Sequence, residues 1–357
     1  MRLIRQGRFV LTAVSFLSLA VSSFSKVKQF GPVIALRPVT IKNVSYATSG
    51  KYFALPNFIT AGSVGIFFVS SSGEIGSIPT RLSDRNFSRT AGVFYYFNPK
   101  DNKPAMVYIP LPELLSGYSV TFAPQRDTLA IAGGEKIFIY DANDWRQIKN
   151  ITITANTTRV IYSPDGKYLA ALAEGIIYVF ETEKYTLLYK ITPEQSHLFA
   201  DITFSSNNEK LAALEYKSVL MDQTGRVRVF FSKDGSLDRN LPYLSDRFGP
   251  TPNRNFPLIS YSPRDSAIAV TVEKSFGGKV FLIKSNDGTV LREFKGLCHA
   301  FSPDGSLFAA GGKVYATSTW TILGGFSSTA TSLTFSPTER VLVVVTSENM
   351  KRYRIEE

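Results

Sequence analysis

The chain has 357 residues, of which 44% are hydrophobic and 13% aromatic, and its formal net charge is +11. This composition excludes a disordered or low-complexity chain, and the single cysteine, Cys298, excludes an internal disulfide. The many Phe and Tyr residues favour strands over helices, and the positive charge favours anionic partners without specifying a fold.

The N-terminal 23 residues are typical of a secretory signal peptide. Arg2, Arg5 and Arg8 form a basic start, an apolar stretch covers residues 9–21, and small residues follow it. This apolar stretch is too short to span a bilayer comfortably. We therefore expect residues 1–23 to be cleaved, which places the protein in the secretory pathway, extracellular or periplasmic, and not as an integral membrane protein.

Two other interpretations of the N-terminus remain open. The segment lacks acidic residues and is rich in Arg and Ser, which is also typical of an organelle transit peptide. Residues 6–12 resemble residues 165–171, so they could instead form a strand. Either alternative places the protein inside the cell, in the cytosol or in an organelle.

A degenerate motif, aromatic-Ser-Pro-Asp-Gly-x-aromatic-x-Ala, recurs along the chain. It is best preserved at residues 162–166 and 301–305. Phe122 and Tyr162 are 40 positions apart, and a repeat of about 40 residues suits a four-stranded propeller blade. The aromatic residues that begin the seven copies are Tyr46, Phe122, Tyr162, Phe204, Tyr261, Phe301 and Phe335.

The motif has the chemistry of a turn between two strands. Ser caps the first position, Pro presets φ at the second, Asp suits the third and Gly closes the turn. The apolar runs on either side are typical of buried inner strands, and Asn286-Asp287-Gly288 indicates a hairpin between outer strands. The sequence therefore predicts an all-β propeller of about seven four-stranded blades in residues 30–357.

The last copy supplies only three strands before the chain ends. An uncompleted blade would expose a strand edge. We expect residues 31–36 to provide the missing strand, so that the ring is closed by an N-terminal strand pairing with the C-terminal blade.

On these motifs the chain resembles the WD-repeat-like propeller superfamily, including its TolB and YVTN types. The resemblance covers residues 30–357 and implies the propeller architecture and an interaction role. The Gly-His pairs of WD repeats are missing, and the Trp-Asp pair that ends their third strand survives only as Tyr140-Asp141. The hydrogen-bonded tetrad of that family is therefore not expected.

Two insertions interrupt the regular spacing, at about 74–113 and 232–257. The first contains a predicted hairpin over 92–109, which is either part of an elaborated first blade or an eighth blade. The second combines arginines with aromatic residues, as binding loops often do. The residues predicted to bind a partner in this second insertion are Arg239, Tyr243, Arg247, Phe248, Arg254 and Phe256.

The residues that most enzymes use are scarce. His197 and His299 are the two histidines, and the sequence shows no phosphate-binding glycine loop, cysteine pair or calcium loop. We therefore predict no catalytic residue, no metal ligand and no cofactor. Cys298 is expected to be a small buried residue rather than a nucleophile.

These observations predict a non-catalytic propeller scaffold that binds a protein or peptide, as a monomer or within a hetero-complex. One alternative is a lactonase-type or other hydrolase acting at the central channel, which needs carboxylates there. A weaker alternative is binding of anions or nucleic acid by the basic surface. The charge is scattered without a recognised module, so nucleic acid is not an expected partner.

Overall fold

The structure is a computed structural model that describes residues 26–35, 44–47, 49–56, 63–69, 87–90, 93–97, 104–110, 119–217, 225–244, 258–274 and 277–356. All regular elements in these residues are β-strands, which form seven antiparallel sheets. The sheets follow one another along the chain as blades of a ring. The predicted β-propeller is confirmed, with seven blades rather than eight.

The strands are numbered in chain order. One strand, β1 (Val27–Ala35), precedes the first blade. Blade 1 contains β2 (Ser45–Tyr46), β3 (Tyr52–Pro56), β4 (Ser63–Phe68), β5 (Phe87–Thr90), β6 (Val93–Phe97) and β7 (Pro104–Pro110). Blade 2 contains β8 (Ser119–Phe122), β9 (Thr128–Gly133), β10 (Lys136–Asp141) and β11 (Gln147–Thr152). Blade 3 contains β12 (Thr157–Tyr162), β13 (Tyr168–Ala173), β14 (Ile176–Glu181) and β15 (Leu187–Ile191).

The second half of the ring has the same organisation. Blade 4 contains β16 (His197–Phe204), β17 (Lys210–Lys217), β18 (Gly225–Phe231) and β19 (Leu237–Asn240). Blade 5 contains β20 (Ile259–Tyr261), β21 (Ala267–Lys274), β22 (Gly277–Lys284) and β23 (Val290–Lys295). Blade 6 contains β24 (His299–Phe301), β25 (Leu307–Ala310), β26 (Lys313–Ala316) and β27 (Ile322–Gly325). Blade 7 contains β28 (Ser332–Phe335), β29 (Val341–Val345) and β30 (Asn349–Ile355), together with β1.

Blades 2 to 6 share one simple topology, in which the four strands pair in sequence order. The first strand is innermost, because β8 contacts β12 and β16 contacts β20 in the neighbouring blades. The second and third strands are almost fully buried, whereas the fourth is largely exposed. This gradient follows from composition, since small and β-branched residues fill the middle strands and polar residues recur in the outer one.

Blade 1 is the elaborated one. Its sheet has six strands in the order β2-β3-β4-β7-β6-β5. The hairpin predicted over 92–109 is present as β6 and β7, and β7 pairs with β4. This pairing makes the hairpin part of blade 1 and rules it out as an eighth blade.

The N-terminal segment closes the ring, as predicted. Strand β1 pairs antiparallel with β30, from Val27 opposite Ile355 to Ala35 opposite Asn349. The pairing begins before the predicted segment 31–36, and Leu36 lies outside the described residues. Lys26 also accepts a hydrogen bond from Glu356 at 2.7 Å through its backbone oxygen. The two ends of the chain therefore share one blade and leave no open edge at β30.

The apolar core is divided into clusters, each of which joins two successive blades. The cluster between blades 3 and 4, for example, contains Ala170 and Leu172 from β13 with Ile202 and Phe204 from β16. Each sheet is too small to bury its own apolar faces, so neighbouring blades bury them for each other. Apolar contacts between blades thus stabilise the fold in addition to the hydrogen bonds within each sheet.

The Ser-Pro-Asp-Gly segments form the predicted turns between the first and second strands. In blade 3 the Ser163 hydroxyl donates to Asp165 Oδ1 at 2.7 Å and accepts from the Tyr168 amide at 2.9 Å. Gly166 has φ of +70°, a conformation that L side chains rarely adopt. Asp165 therefore has a structural role, because it stabilises its own turn.

The second predicted insertion is shorter than the sequence suggested. The hairpin that follows Phe231 and the strand β19 occupy residues 232–240, so these residues belong to the regular blade. The extra length relative to the other blades lies between Asn240 and Ile259, of which 241–244 and 258 are described.

The described residues contain no helix long and apolar enough to cross a membrane.

Candidate functional site

Two of the six predicted binding residues are described. Arg239 donates to Asp238 at 2.7 Å and to the Asn286 carbonyl in the hairpin of blade 5 at 3.0 Å. It therefore joins two blades. Tyr243 is 49% exposed. The other four, Arg247, Phe248, Arg254 and Phe256, lie outside the described residues.

Tyr243 lies beside a group of charged residues at one end of blade 4. We call this group, Glu194, Glu215, Arg226 and Arg228 with Tyr243, the Glu215 cluster. It lies where β15 leads into β16, β17 ends and β18 begins. The Arg226 guanidinium carbon is 5.2 Å from the centre of the Tyr243 ring, a cation–π contact.

Glu215 is the centre of the cluster and is completely buried. It lies opposite Arg226 in the β17–β18 ladder. Its Oε2 accepts from Arg226 Nε at 2.8 Å, and its Oε1 accepts from Arg228 Nη1 at 2.9 Å. A carboxylate without water needs such charge-assisted partners to remain ionised. The two guanidiniums are fixed by a group that solvent does not reach.

Glu194 forms the outer side of the cluster. Its Oε1 lies 2.5 Å from Arg226 Nη2 and 3.9 Å from Arg228 Nη2, while its side chain is 45% exposed. Its backbone amide donates to Glu215 Oε1 at 3.1 Å. On the other flank, Asn240 Oδ1 accepts from Arg228 Nε at 3.1 Å. Both arginines therefore contact one buried and one exposed carboxylate.

The pKa values follow from these contacts. The hydrogen bond from Arg226, together with the positive charges of Arg226 and Arg228, lowers the pKa of Glu194. Burial lowers the pKa of Arg226, but Glu194 and Glu215 outweigh it and raise that pKa overall. Glu194 and Arg226 are therefore both charged at neutral pH.

Glu194, His197 and Glu215 bring one ligand atom each within 4.8 Å of one another, which is metal-like spacing. However, both oxygens of Glu215 already accept from guanidiniums. A divalent cation there would also face the charges of Arg226 and Arg228. The geometry therefore favours an anion rather than a metal at this point.

A second buried carboxylate, Asp201, lies on the innermost strand of the same blade. It accepts from the Leu258 and Ile259 amides of blade 5 at 2.6 and 3.3 Å. Its Oδ1 lies 3.0 Å from Arg159 Nε of blade 3 and accepts from the Ile202 amide at 2.9 Å. Burial raises the pKa of Asp201, although the arginine and the backbone amides oppose that shift. Asp201 thus joins three blades near the axis.

His299 joins blade 6 to blade 5. Its Nε2 is 2.7 Å from Ser260 Oγ and its Nδ1 is 2.7 Å from Thr271 Oγ1, so both ring nitrogens have hydroxyl partners. Burial lowers the pKa of His299 to about 3. The imidazole is therefore neutral and completely enclosed, which is typical of a structural histidine rather than a catalytic one.

Cys298 is buried, as predicted, next to β24. Its thiol donates to the Ala330 carbonyl at 3.2 Å. Burial raises the pKa of this thiol to about 12. It is therefore protonated at neutral pH and has little reactivity as a nucleophile.

No family model matches this chain, and no curated protein matches it.

The sequence contains a signal for the Glu215 cluster outside the repeated turn motif. The second strands of blades 3 and 4 begin alike, with Ala-Ala-Leu at 170–172 and at 212–214, the third to fifth positions of each strand. In register, Ala173 pairs with Ile176 in blade 3, and Glu215 pairs with Arg226 in blade 4. A charged pair where the neighbouring repeat has an apolar pair marks the site.

Proposed function

We propose that the protein is a non-catalytic β-propeller that binds a protein or peptide partner at the Glu215 cluster. The carrying observation is the exposed Tyr243 ring beside Arg226, which the buried Glu215 fixes in place. Tyr and Arg are the residue types that contribute most to binding energy when they are well ordered. A fixed arginine also loses little side-chain entropy on binding.

The free-energy cost of burying the charges of the Glu215 cluster supports this proposal. Replacing a buried group of ions by apolar residues is often neutral or stabilising. Blade 3 shows that apolar residues are accommodated at the same positions, since Ala173 and Ile176 are paired there. Stability therefore gives no reason for charges at this position, whereas partner binding does.

The innermost strands favour binding over hydrolysis. A channel enzyme of the lactonase type needs clustered carboxylates at the axis. Among the described first strands, β2, β8, β12, β16, β20, β24 and β28, the sole carboxylate is Asp201, which is engaged by Arg159 and three amides. The residue just before the motif aromatic is uncharged in all seven of these strands: Ser45, Thr121, Ile161, Thr203, Ser260, Ala300 and Thr334.

We also propose that the chain is a degenerate member of the WD-like propeller superfamily. The four Ser-Pro turns, at 163–164, 262–263, 302–303 and 336–337, and the shared last blade support it. The N-terminal residues 1–23 remain proposed as a signal peptide for the secretory pathway. N-terminal sequencing of the mature protein tests this: a start near residue 21 or 24 supports it, and an intact Met1 contradicts it.

Site-specific photo-crosslinking tests the proposed binding site. A photoreactive phenylalanine analogue would replace Tyr243 or, as a control, Ile322, which is 54% exposed on the outer strand of blade 6. We expect a discrete cross-linked product in extracts of the source cell at position 243, lost when excess unlabelled wild-type protein competes. Equal or absent cross-linking at both positions would contradict the site.

A further inference from the structure

The charges of the Glu215 cluster do not balance within its buried part. Arg226 and Arg228 are both about nine-tenths buried, and one sealed carboxylate, that of Glu215, lies between them. This inner group carries a net charge of one positive unit. The exposed Glu194 neutralises that unit from outside.

Glu194 is held differently from Glu215. Its carboxylate contacts the two guanidiniums through Oε1, while nearly half of its side chain remains open to solvent. Water already reaches the Glu194 carboxylate, so it can leave the guanidiniums for solvent at a lower desolvation cost than the sealed Glu215. Another carboxylate can therefore replace Glu194 without disturbing the pairs that Glu215 makes.

We propose that Glu194 is a displaceable internal anion, and that the cluster binds an Asp or Glu side chain of a peptide partner. The incoming carboxylate would take the position of Glu194 on Arg226, and Tyr243 would pack against an apolar residue next to it. The residual charge of one unit favours a carboxylate over a doubly charged phosphate. This inference rests on the proposed function and specifies the partner's chemistry.

Peptide selection followed by affinity measurement tests the inference. Phage-displayed random peptides would be selected on the full-length wild-type protein, and the best peptide synthesised with a fluorophore. We expect selected peptides to contain an acidic residue beside an aromatic or aliphatic one. Changing that acidic residue to its amide should weaken binding about tenfold or more, the usual value of a charge-assisted hydrogen bond.

The decisive variant is Glu194→Gln, which removes the competing charge and leaves Glu215 and both arginines in place. We expect it to bind the acidic peptide about two- to fivefold more tightly than the wild type. The matched control is Glu293→Gln in β23. Glu293 is also about half exposed, at 48%, and pairs with Lys279 at 3.1 Å. The control should leave the affinity unchanged, and both variants should melt like the wild type.

The outcomes separate this inference from the proposed function. Peptides that lack acidic residues but lose binding in Tyr243→Ala would overturn the inference and leave the binding site intact. Equal affinities of wild type and Glu194→Gln for an acidic peptide would overturn it too, as would tighter binding of the phosphoserine version of that peptide. Selection of no Tyr243-dependent peptide would contradict both proposals.

Discussion

Blade 4 contains two buried carboxylates, Asp201 and Glu215, which differ in what surrounds them. Asp201 accepts from backbone amides of two blades and faces Arg159 of a third, so all its partners belong to the ring itself. Glu215 is held by two arginine side chains whose other neighbours, Glu194 and Tyr243, reach solvent. A buried carboxylate thus joins blades at Asp201, whereas at Glu215 it holds arginines in place next to the solvent-exposed surface.

A comparison with blade 3 sharpens the difference. The ladders of blades 3 and 4 have the same register, so that Glu215 and Arg226 occupy the places of Ala173 and Ile176, and Arg228 that of Tyr178. A blade therefore folds without these charges. In blade 3 the place of Asp201 is taken by Arg159, which is itself one of the partners of Asp201.

The largest effect is expected from Glu215→Ala. Loss of the buried carboxylate leaves two nine-tenths-buried guanidiniums with the exposed Glu194 as their anion, and we expect the free energy of unfolding to fall by about 4 kcal/mol. The triple variant with Glu215→Ala, Arg226→Ile and Arg228→Tyr reproduces blade 3. We expect it to recover to within about 1 kcal/mol of the wild type in denaturant titrations. A triple variant as unstable as the single one would refute the comparison.

The second effect concerns the contact between blades. Asp201→Ala leaves Arg159 unpaired and removes the acceptor of three amides, so we expect the free energy of unfolding to fall by about 3 kcal/mol. Thr203→Ala is the control, because Thr203 lies two residues further along β16 and its hydroxyl makes one weak contact, to Phe204 O at 3.4 Å. Chemical denaturation measures both variants. Equal losses in both would show that Asp201 has no special role.

A smaller effect depends on pH and on His299. Its pKa is about 3 in the folded protein and 6.5 as an unperturbed group. The unfolded chain therefore binds a proton as the pH falls below 6.5, while the folded protein does not, so acid destabilises the fold. From pH 7 to pH 5 we expect this histidine to account for a loss of about 2 kcal/mol.

The matching variant is His299→Gln, whose stability should be lower at pH 7 but should depend less on pH between 7 and 5. Denaturant titrations at the two pH values give the difference directly. A variant with the same pH dependence as the wild type would show that His299 is accessible to protons in the folded state.

The smallest effect is expected at an ion pair that is not buried. Lys279 and Glu293 lie 3.1 Å apart, with side chains 36% and 48% exposed. Glu293→Gln should change the free energy of unfolding by less than about 0.5 kcal/mol, because solvent screens such pairs. Thermal melts in low and high salt check this value. A loss comparable to that in Glu215→Ala would mean that burial does not distinguish these pairs.

Much of the fold could be predicted from the repeat, but much of the site could not. The Ser-Pro turns, the hairpin at 286–288 and the closing strand all depend on local chemistry or on counting strands. Tyr243 was predicted from composition alone, as part of a loop rich in Arg and aromatics. Glu194 and Glu215 were missed because they are 21 positions apart, and the pairing of β16 with β17 brings them together.

The sequence by itself determined the repeat, the turns and the all-β class, because each depends on residues within one blade-length of chain. The tertiary structure alone decided which blade takes the β6–β7 hairpin and how Asp201 reaches three blades. These features depend on which side chains lose water together, and that is set when neighbouring sheets pack around the axis.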